Sequence, residues 1–216
     1  MIIKTFTVGP LNTNTYLIFF GRGSEAVIID PAFQRREASL IISLINSLDL
    51  KVKYIINTHG HFDHILGNNI LKERFPVEIL IHKNDALMLN NSSLNLSSSI
   101  GLNVVSPQAD RLLDGGETIN LGGESLKVIY TPGHTSGSIS LLIDRYLFTG
   151  DTLFAGSVGR TDLPGGSLEH LLRSVRKLVS LPDHVKIYPG HGVTSTIGIE
   201  KKSNPYVKMA MSREHF

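Results

Sequence analysis

No cysteine occurs in the 216 residues. That removes a disulfide scaffold, a cysteine nucleophile, a Cys-type zinc site and an iron–sulfur cluster. Excess charge of one sign is scarce too, with 21 Lys and Arg against 19 Asp and Glu. So small a surplus gives little electrostatic reason to expect nucleic acid or an anionic membrane as partner. Long apolar runs are also missing. No stretch approaches the ~20 apolar residues that span a bilayer. The opening, MIIKTFTVGPLNTNTYLIFF, interrupts its apolar residues with Asn and Thr, unlike the h-region of a signal peptide. The chain is therefore expected to be cytoplasmic, with neither nucleic acid nor membrane as partner. What is present, 41% hydrophobic and 19% charged residues, fits a packed globule and argues against disorder. The length predicts a single domain over residues 1–216.

Hydrophobic periodicity predicts strands and helices in alternation. Residues 2–8, 15–20 and 26–29 read as strands, the last ending at Asp30-Pro31. Leu40, Ile41, Leu44, Ile45 and Leu48 then share one helical face. Residues 52–56 form a strand, 64–75 a helix, 77–81 a strand and 84–90 a short helix. The Asn/Ser-rich stretch 90–99 reads as a surface loop. Strands follow at 117–121, 124–130, 138–143 and 146–149. Ser167 opens a helix as N-cap, with Leu168, Leu171, Leu172, Val175, Leu178 and Val179 as its apolar stripe. A last strand at 185–188 precedes a helical tail after Asn204-Pro205.

The informative residues are histidines. The strand ending at Ile56 runs into Thr58-His59-Gly60-His61-Phe62-Asp63-His64, which places four metal-competent side chains within six residues. On an extended path His59 and His61 point to one side. Asp63 and His64 fall at the start of the next helix, where Asp suits the N-cap. Three further segments repeat one order of strand, sharp turn and donor: Tyr130 through Thr131-Pro132-Gly133 to His134, Thr149-Gly150 to Asp151, and Tyr188 through Pro189-Gly190 to His191. Taken singly, a His after a strand is usually a turn residue and an Asp at a helix start a cap. Together, seven donors at four strand ends could converge on one cleft. Imidazole and carboxylate suit zinc, iron or manganese. The other histidines read as bland: His170 on a polar helix face, His184 in a loop, His215 at the terminus and His82 buried or in a loop at a strand end.

These blocks resemble the metallo-β-lactamase superfamily, from about Gly9 to Pro205 and in the family's order. The resemblance implies an α/β fold, a four-layer αββα sandwich. It implies two divalent metal ions, zinc before the alternatives iron or manganese. His59, His61 and His134 would hold one ion, and Asp63, His64 and His191 the other. Asp151 would bridge, and Asp63 and Asp151 would be the catalytic carboxylates. Residues 155–162, AGSVGRTD, are similar to the glyoxalase II and persulfide dioxygenase branch. There a basic residue in the position of Arg160 binds a substrate carboxylate. Glyoxalase II also has a further C-terminal helical domain, which this chain is expected to lack, and a tyrosine where Val193 stands. The function implied is a metallo-hydrolase that cleaves thioesters such as S-D-lactoylglutathione by a metal-bridging hydroxide, its partner a small acyl-thiol. The alternatives are a mononuclear-iron persulfide dioxygenase acting on glutathione persulfide and a metal-binding scaffold without turnover.

Overall fold

The computed structural model describes residues 1–212. His215 lies outside the described residues. Two compact units emerge, one of Met1–Leu113 with Asn120–Glu124, the other of Asp114–Ile119 with the chain from Ser125 onward.

The first unit carries a six-stranded sheet in the order β1 (Ile2–Val8), β2 (Thr13–Phe19), β3 (Glu25–Ile29), β4 (Lys51–Ile56), β5 (Glu78–His82), β6 (Arg111–Leu113). The β1–β2 and β2–β3 pairs are antiparallel, and from β3 to β6 the strands are parallel. Parallel neighbours end on the same edge. The segments after β3 and β4 therefore emerge side by side, which brings Asp30 next to the histidine-rich loop. Helix α1 (Arg35–Ser47) begins at Gln34, whose capping box with Glu37 satisfies first-turn amides. Its Ala38, Ile41 and Ile45 join Leu17, Ile28, Ile55 and Ile79 in the core. Each Leu or Ile among them contributes roughly 1.5–3 kcal/mol on burial. Leu40, expected on the apolar face, is 75% exposed, because the buried stripe runs 38–41–45 and leaves it on the far side.

The helix expected over 64–75 is two pieces, α2 (Phe62–Ile65) and α3 (Asn68–Arg74). The chain bends between them at Gly67, whose amide donates to the carbonyl of Pro31 (2.7 Å). After β5 come a 3₁₀ turn at Lys83–Met88 and another at Ser97–Ile100. The stretch read as a surface loop is thus partly structured and partly buried. Asn95 is fully buried, and its side chain donates to the carbonyls of Met88 (3.0 Å) and Val104 (2.9 Å).

The second sheet runs β14 (Ser195–Thr196), β13 (Lys186–Pro189), β10 (Tyr146–Gly150), β9 (Ile139–Ile143), β8 (Glu124–Tyr130), β7 (Thr118–Leu121). β8 is antiparallel to β9, β9 to β10, and β10 is parallel to β13. Hence β8, β10 and β13 all point the same way, and the residues that follow them share one edge. A two-stranded hairpin, β11 (Leu153–Phe154) with β12 (Ser157–Val158), follows β10. Helix α4 (Leu168–Val179) starts on the Ser167 cap, whose Oγ accepts from the amide of His170 (3.3 Å). Its Leu171, Leu172, Val175 and Leu178 pack with Leu147, Ile187, Ile197 and Val207, the last two from α5 (Ile197–Ser203) and α6 (Pro205–Ser212). Leu168, placed in the stripe by its spacing, is 41% exposed, and the buried stripe begins one turn later at Leu171. Among the described residues no helix is long and apolar enough to cross a membrane.

Candidate metal centre

In the first unit four donors follow β4. His59 and His61 have ring centroids 4.8 Å apart in a T-shaped arrangement, and His59 and His64 are 4.1 Å apart. All three rings and Asp63 are buried. The tautomers of two rings trace back to one carboxylate. Asp30 Oδ2 accepts from His64 Nδ1 (2.9 Å) and from the Thr58 hydroxyl (2.7 Å), while Oδ1 accepts from the Thr58 amide (2.7 Å). With its single proton directed to Asp30, the Thr58 hydroxyl can only accept at its 3.2 Å contact with His59 Nδ1. Both rings therefore carry hydrogen on Nδ1 and a lone pair on Nε2, the state of a metal ligand. Asp30 takes a left-handed backbone (φ 48°), which Asp tolerates better than most side chains.

Asp63 is not the helix cap expected of it. His61 precedes α2, and Asp63 is its second residue. Its Oδ2 turns to the Thr13 hydroxyl (2.8 Å) and lies 3.4 Å from His64 Nε2, so the carboxylate is held by a side chain of β2 instead of capping amides. Gly60 lets the loop pass Met88: a Cβ there would lie 2.5 Å from that side chain, and the Gly60 amide donates to buried Asp85 (3.1 Å).

In the second unit three donors come from three loops. Asp151 follows β10 and His191 follows its parallel neighbour β13, locked by the Gly190 amide donating to the Gly150 carbonyl (2.8 Å). His134 follows β8. Asp151 Oδ2 lies 3.5 Å from His134 Nε2 and 3.6 Å from His191 Nε2, so one carboxylate oxygen stands between two imidazoles. His134 Nδ1 donates to the carbonyl of Arg160 (2.8 Å), which again presents Nε2. Gly159 makes that approach possible: a Cβ there would be 1.8 Å from the Asp151 carbonyl and 3.2 Å from His134 Nδ1.

The Arg160 side chain points elsewhere. Its Nε and Nη2 grip Asp162 Oδ1 and Oδ2 at 2.8 and 2.6 Å, with both side chains more than half exposed. Those hydrogen bonds pull the Asp162 carboxyl down to about 2 and raise the guanidinium. Val193, in the position where glyoxalase II has a tyrosine, is 73% exposed. His82 is buried at the end of β5, and its Nδ1 accepts from the Asn84 amide (3.2 Å). His170 and His184 are exposed, as their spacing suggested.

The donor set fits divalent metal ions. Imidazoles in fixed tautomers and buried carboxylates match the preferences of zinc, iron and manganese. A family model for the metallo-beta-lactamase superfamily matches residues 8–191. The chain belongs to the metallo-β-lactamase superfamily. Its fold is the one that superfamily shares, and the superfamily binds divalent metals. The hydroxyacylglutathione hydrolase GloC of Haemophilus influenzae is 38% identical over 212 residues, 96% of this chain and 98% of that protein. The crystal structure of the BLEG-1 B3 metallo-beta-lactamase superposes with a TM-score of 0.89 at 34% identity, covering 95% of this chain and 99% of the other. That of TTHA1623 in a di-iron-bound form gives 0.82 at 33% identity, covering 94% and all of the other chain.

Sequence reasoning passed over the residues that aim the donors. Asp30 was only a strand end, and Thr13, Asp85 and Gly159 carried no assignment. A buried acid after a parallel strand next to the histidine loop was the available signal for Asp30.

Proposed function

We propose that the protein is a metal-dependent thioester hydrolase of the glyoxalase II type, acting on small acyl-thiols such as S-D-lactoylglutathione in the cytoplasm. The observation that carries the reading is Asp151, one carboxylate oxygen within 3.6 Å of imidazoles from two separate loops, the placement a bridging ligand needs. In this reading His59, His61 and His134 hold one ion, Asp63, His64 and His191 hold the second, and Asp151 serves both. Bound divalent ions would supply Lewis acidity toward the thioester carbonyl and acidify water at neutral pH.

The chain's own residues then do the rest. Asp30, through His64 and Thr58, and the Arg160 carbonyl, through His134, keep the imidazole lone pairs directed inward. Asp63, steadied by the Thr13 hydroxyl, orients the proton of the attacking water, and Asp151 adds negative charge against the metal pair. Arg160 reads a substrate carboxylate by exchanging Asp162 for it, a swap between two exposed partners of like charge. Water adding its oxygen to the thioester carbonyl, with the C–S bond broken and the thiol leaving with the other proton, gives acid and thiol without a covalent enzyme intermediate, in keeping with the lack of cysteine.

The test is elemental analysis with two assays on one preparation: loss of thioester from S-D-lactoylglutathione, and O₂ uptake with glutathione persulfide. We expect thioester hydrolysis that a chelator abolishes and zinc restores. Iron-dependent O₂ uptake without hydrolysis would make the protein a persulfide dioxygenase. Metal binding with neither activity would make it a scaffold.

A further inference from the structure

Glu200 is a buried carboxylate that the mechanism above does not use. It lies in α5 and is 1% exposed. A buried acid is costly unless its oxygens are hydrogen-bonded, and those of Glu200 are. Oε1 accepts from the Ser195 hydroxyl. Oε2 accepts from the Gly156 amide and from Asn204 Nδ2, both at 2.8 Å. Asn204 Nδ2 also reaches the carbonyls of Ser157 (3.0 Å) and Phe154 (3.3 Å), and its Oδ1 accepts from the amides of Tyr206 (3.0 Å) and Val207 (3.4 Å).

What these atoms join is specific. Ser195 opens β14, where the chain returns from His191 and pairs with β13. Gly156 is the turn of the β11–β12 hairpin, in a left-handed conformation (φ 72°). That hairpin begins just after Asp151 and ends just before Gly159 and Arg160, whose backbones press on Asp151 and hold His134. Its Phe154 meets the His191 ring edge-on at 6.2 Å. One carboxylate therefore ties the loop that carries His191 to the hairpin that locates Asp151 and His134.

We propose that Glu200, with Asn204 beside it, is a positioning residue for the three metal donors of the second unit, setting their affinity for metal without touching it. The proposal rests on the metal-centre reading above. A carboxylate suits the task because it accepts from three donors on separate segments at once, which no apolar side chain could do. Outer partners of metal ligands typically change metal affinity by about 10–100-fold when removed.

The experiment measures zinc affinity by competition with a chromogenic chelator, well below the melting temperature, for the wild type, Glu200→Ala, Glu200→Gln and Ser195→Ala. The unfolding temperature of each metal-free protein is measured alongside. We expect Glu200→Ala to bind zinc about 10–100-fold more weakly. Glu200→Gln should recover most of the affinity, because its amide oxygen still accepts from Gly156 and its amide nitrogen can donate to Ser195. Ser195→Ala should weaken zinc binding with little change in metal-free melting. Variants that melt lower without metal yet bind zinc as tightly as the wild type would reduce Glu200 to a structural acid and overturn the proposal. Should Glu200→Ala fail to fold, unchanged zinc affinity in Ser195→Ala overturns it just as well. A wild type that binds no zinc, iron or manganese sinks the metal-centre reading itself, a distinct result.

Discussion

The two units hold their candidate metal donors by different means. In the first, four donors come from one short stretch, the loop after β4 and the start of α2, and side chains aim three of them: Asp30 sets His64 and, through Thr58, His59, while Thr13 holds Asp63. In the second, three donors come from three loops, and backbone aims them: the Arg160 carbonyl fixes His134, the Gly190 amide fixes the start of the His191 loop, and Gly159 lies against the Asp151 carbonyl. A local cluster needs partners from elsewhere to orient it. A cluster assembled by strand topology is already located and needs only its last turn set. Side-chain aiming is vulnerable to substitution of the aiming residue itself, whereas backbone aiming is vulnerable to changes in loop shape, including those made by substituting Glu200 or Gly159, which set that shape.

The largest expected effect is at Asp151. Asp151→Ala removes the carboxylate shared by two imidazoles and should lower kcat at saturating metal by roughly 10²–10³-fold, the scale of losing one preorganised electrostatic group. His191→Ala should lose less, with both variants still folded by circular dichroism. Equal losses would count against the shared carboxylate. Next comes the side-chain aiming of the first unit. Asp30→Ala leaves buried donors of Thr58 and His64 without their acceptor, which costs about 1–3 kcal/mol each. Metal affinity should drop about 10–100-fold. Urea denaturation and chelator competition read the two effects, and intact metal affinity would break the comparison.

The smallest effect is expected at Arg160, because the aiming atom there is a carbonyl that substitution leaves in place. Arg160→Ala should leave metal affinity and kcat near wild type. It should raise KM for a carboxylate-bearing thioester by no more than about fivefold, the worth of an exposed ion pair. A loss of kcat instead would show the side chain serving the metal centre. The same variant has a pH signature. The guanidinium hydrogen bonds hold the pKa of the Asp162 carboxyl at about 2, below its ordinary value of 3.8. The folded value is depressed, so the pairing is complete above 3.8 and lost only as pH falls through about 2. A carbon-detected NMR titration should show that midpoint, and Arg160→Ala should return it toward 3.8.

The candidate donors were legible in the sequence because each group follows a strand end, and strand ends announce themselves through a β-branched run broken by glycine. Thr58-His59-Gly60-His61 and Gly190-His191 both show this. The groups that aim the donors were not legible, because their partners are distant along the chain: Asp30 and His64 are joined across 34 residues, Gly156 and Glu200 across 44. No local periodicity encodes such a pairing. The same holds for Asn95, whose polar neighbourhood reads as solvent-facing yet fills a buried turn. Helix α5 was missed because Ile197-Gly198-Ile199 has weak intrinsic helix preference, and its start depends on the Thr196 hydroxyl accepting from the Ile199 amide (3.2 Å). Strand β6 has three residues and exists by pairing with β5.

The close approach at Gly159 has an evolutionary corollary. From Asp151 to Arg160 the chain forms a closed excursion, pinned at its far end by a glycine with no room for a side chain and by a carbonyl committed to an imidazole. Its length is not free to drift, since one inserted residue would pull the carbonyl off His134. The segment Thr161–Pro164 carries no such constraint from the donors, and Asp162 in it is solvent-facing. Substitution there is expected to change the partner of the Arg160 guanidinium while the frame beside it stays fixed.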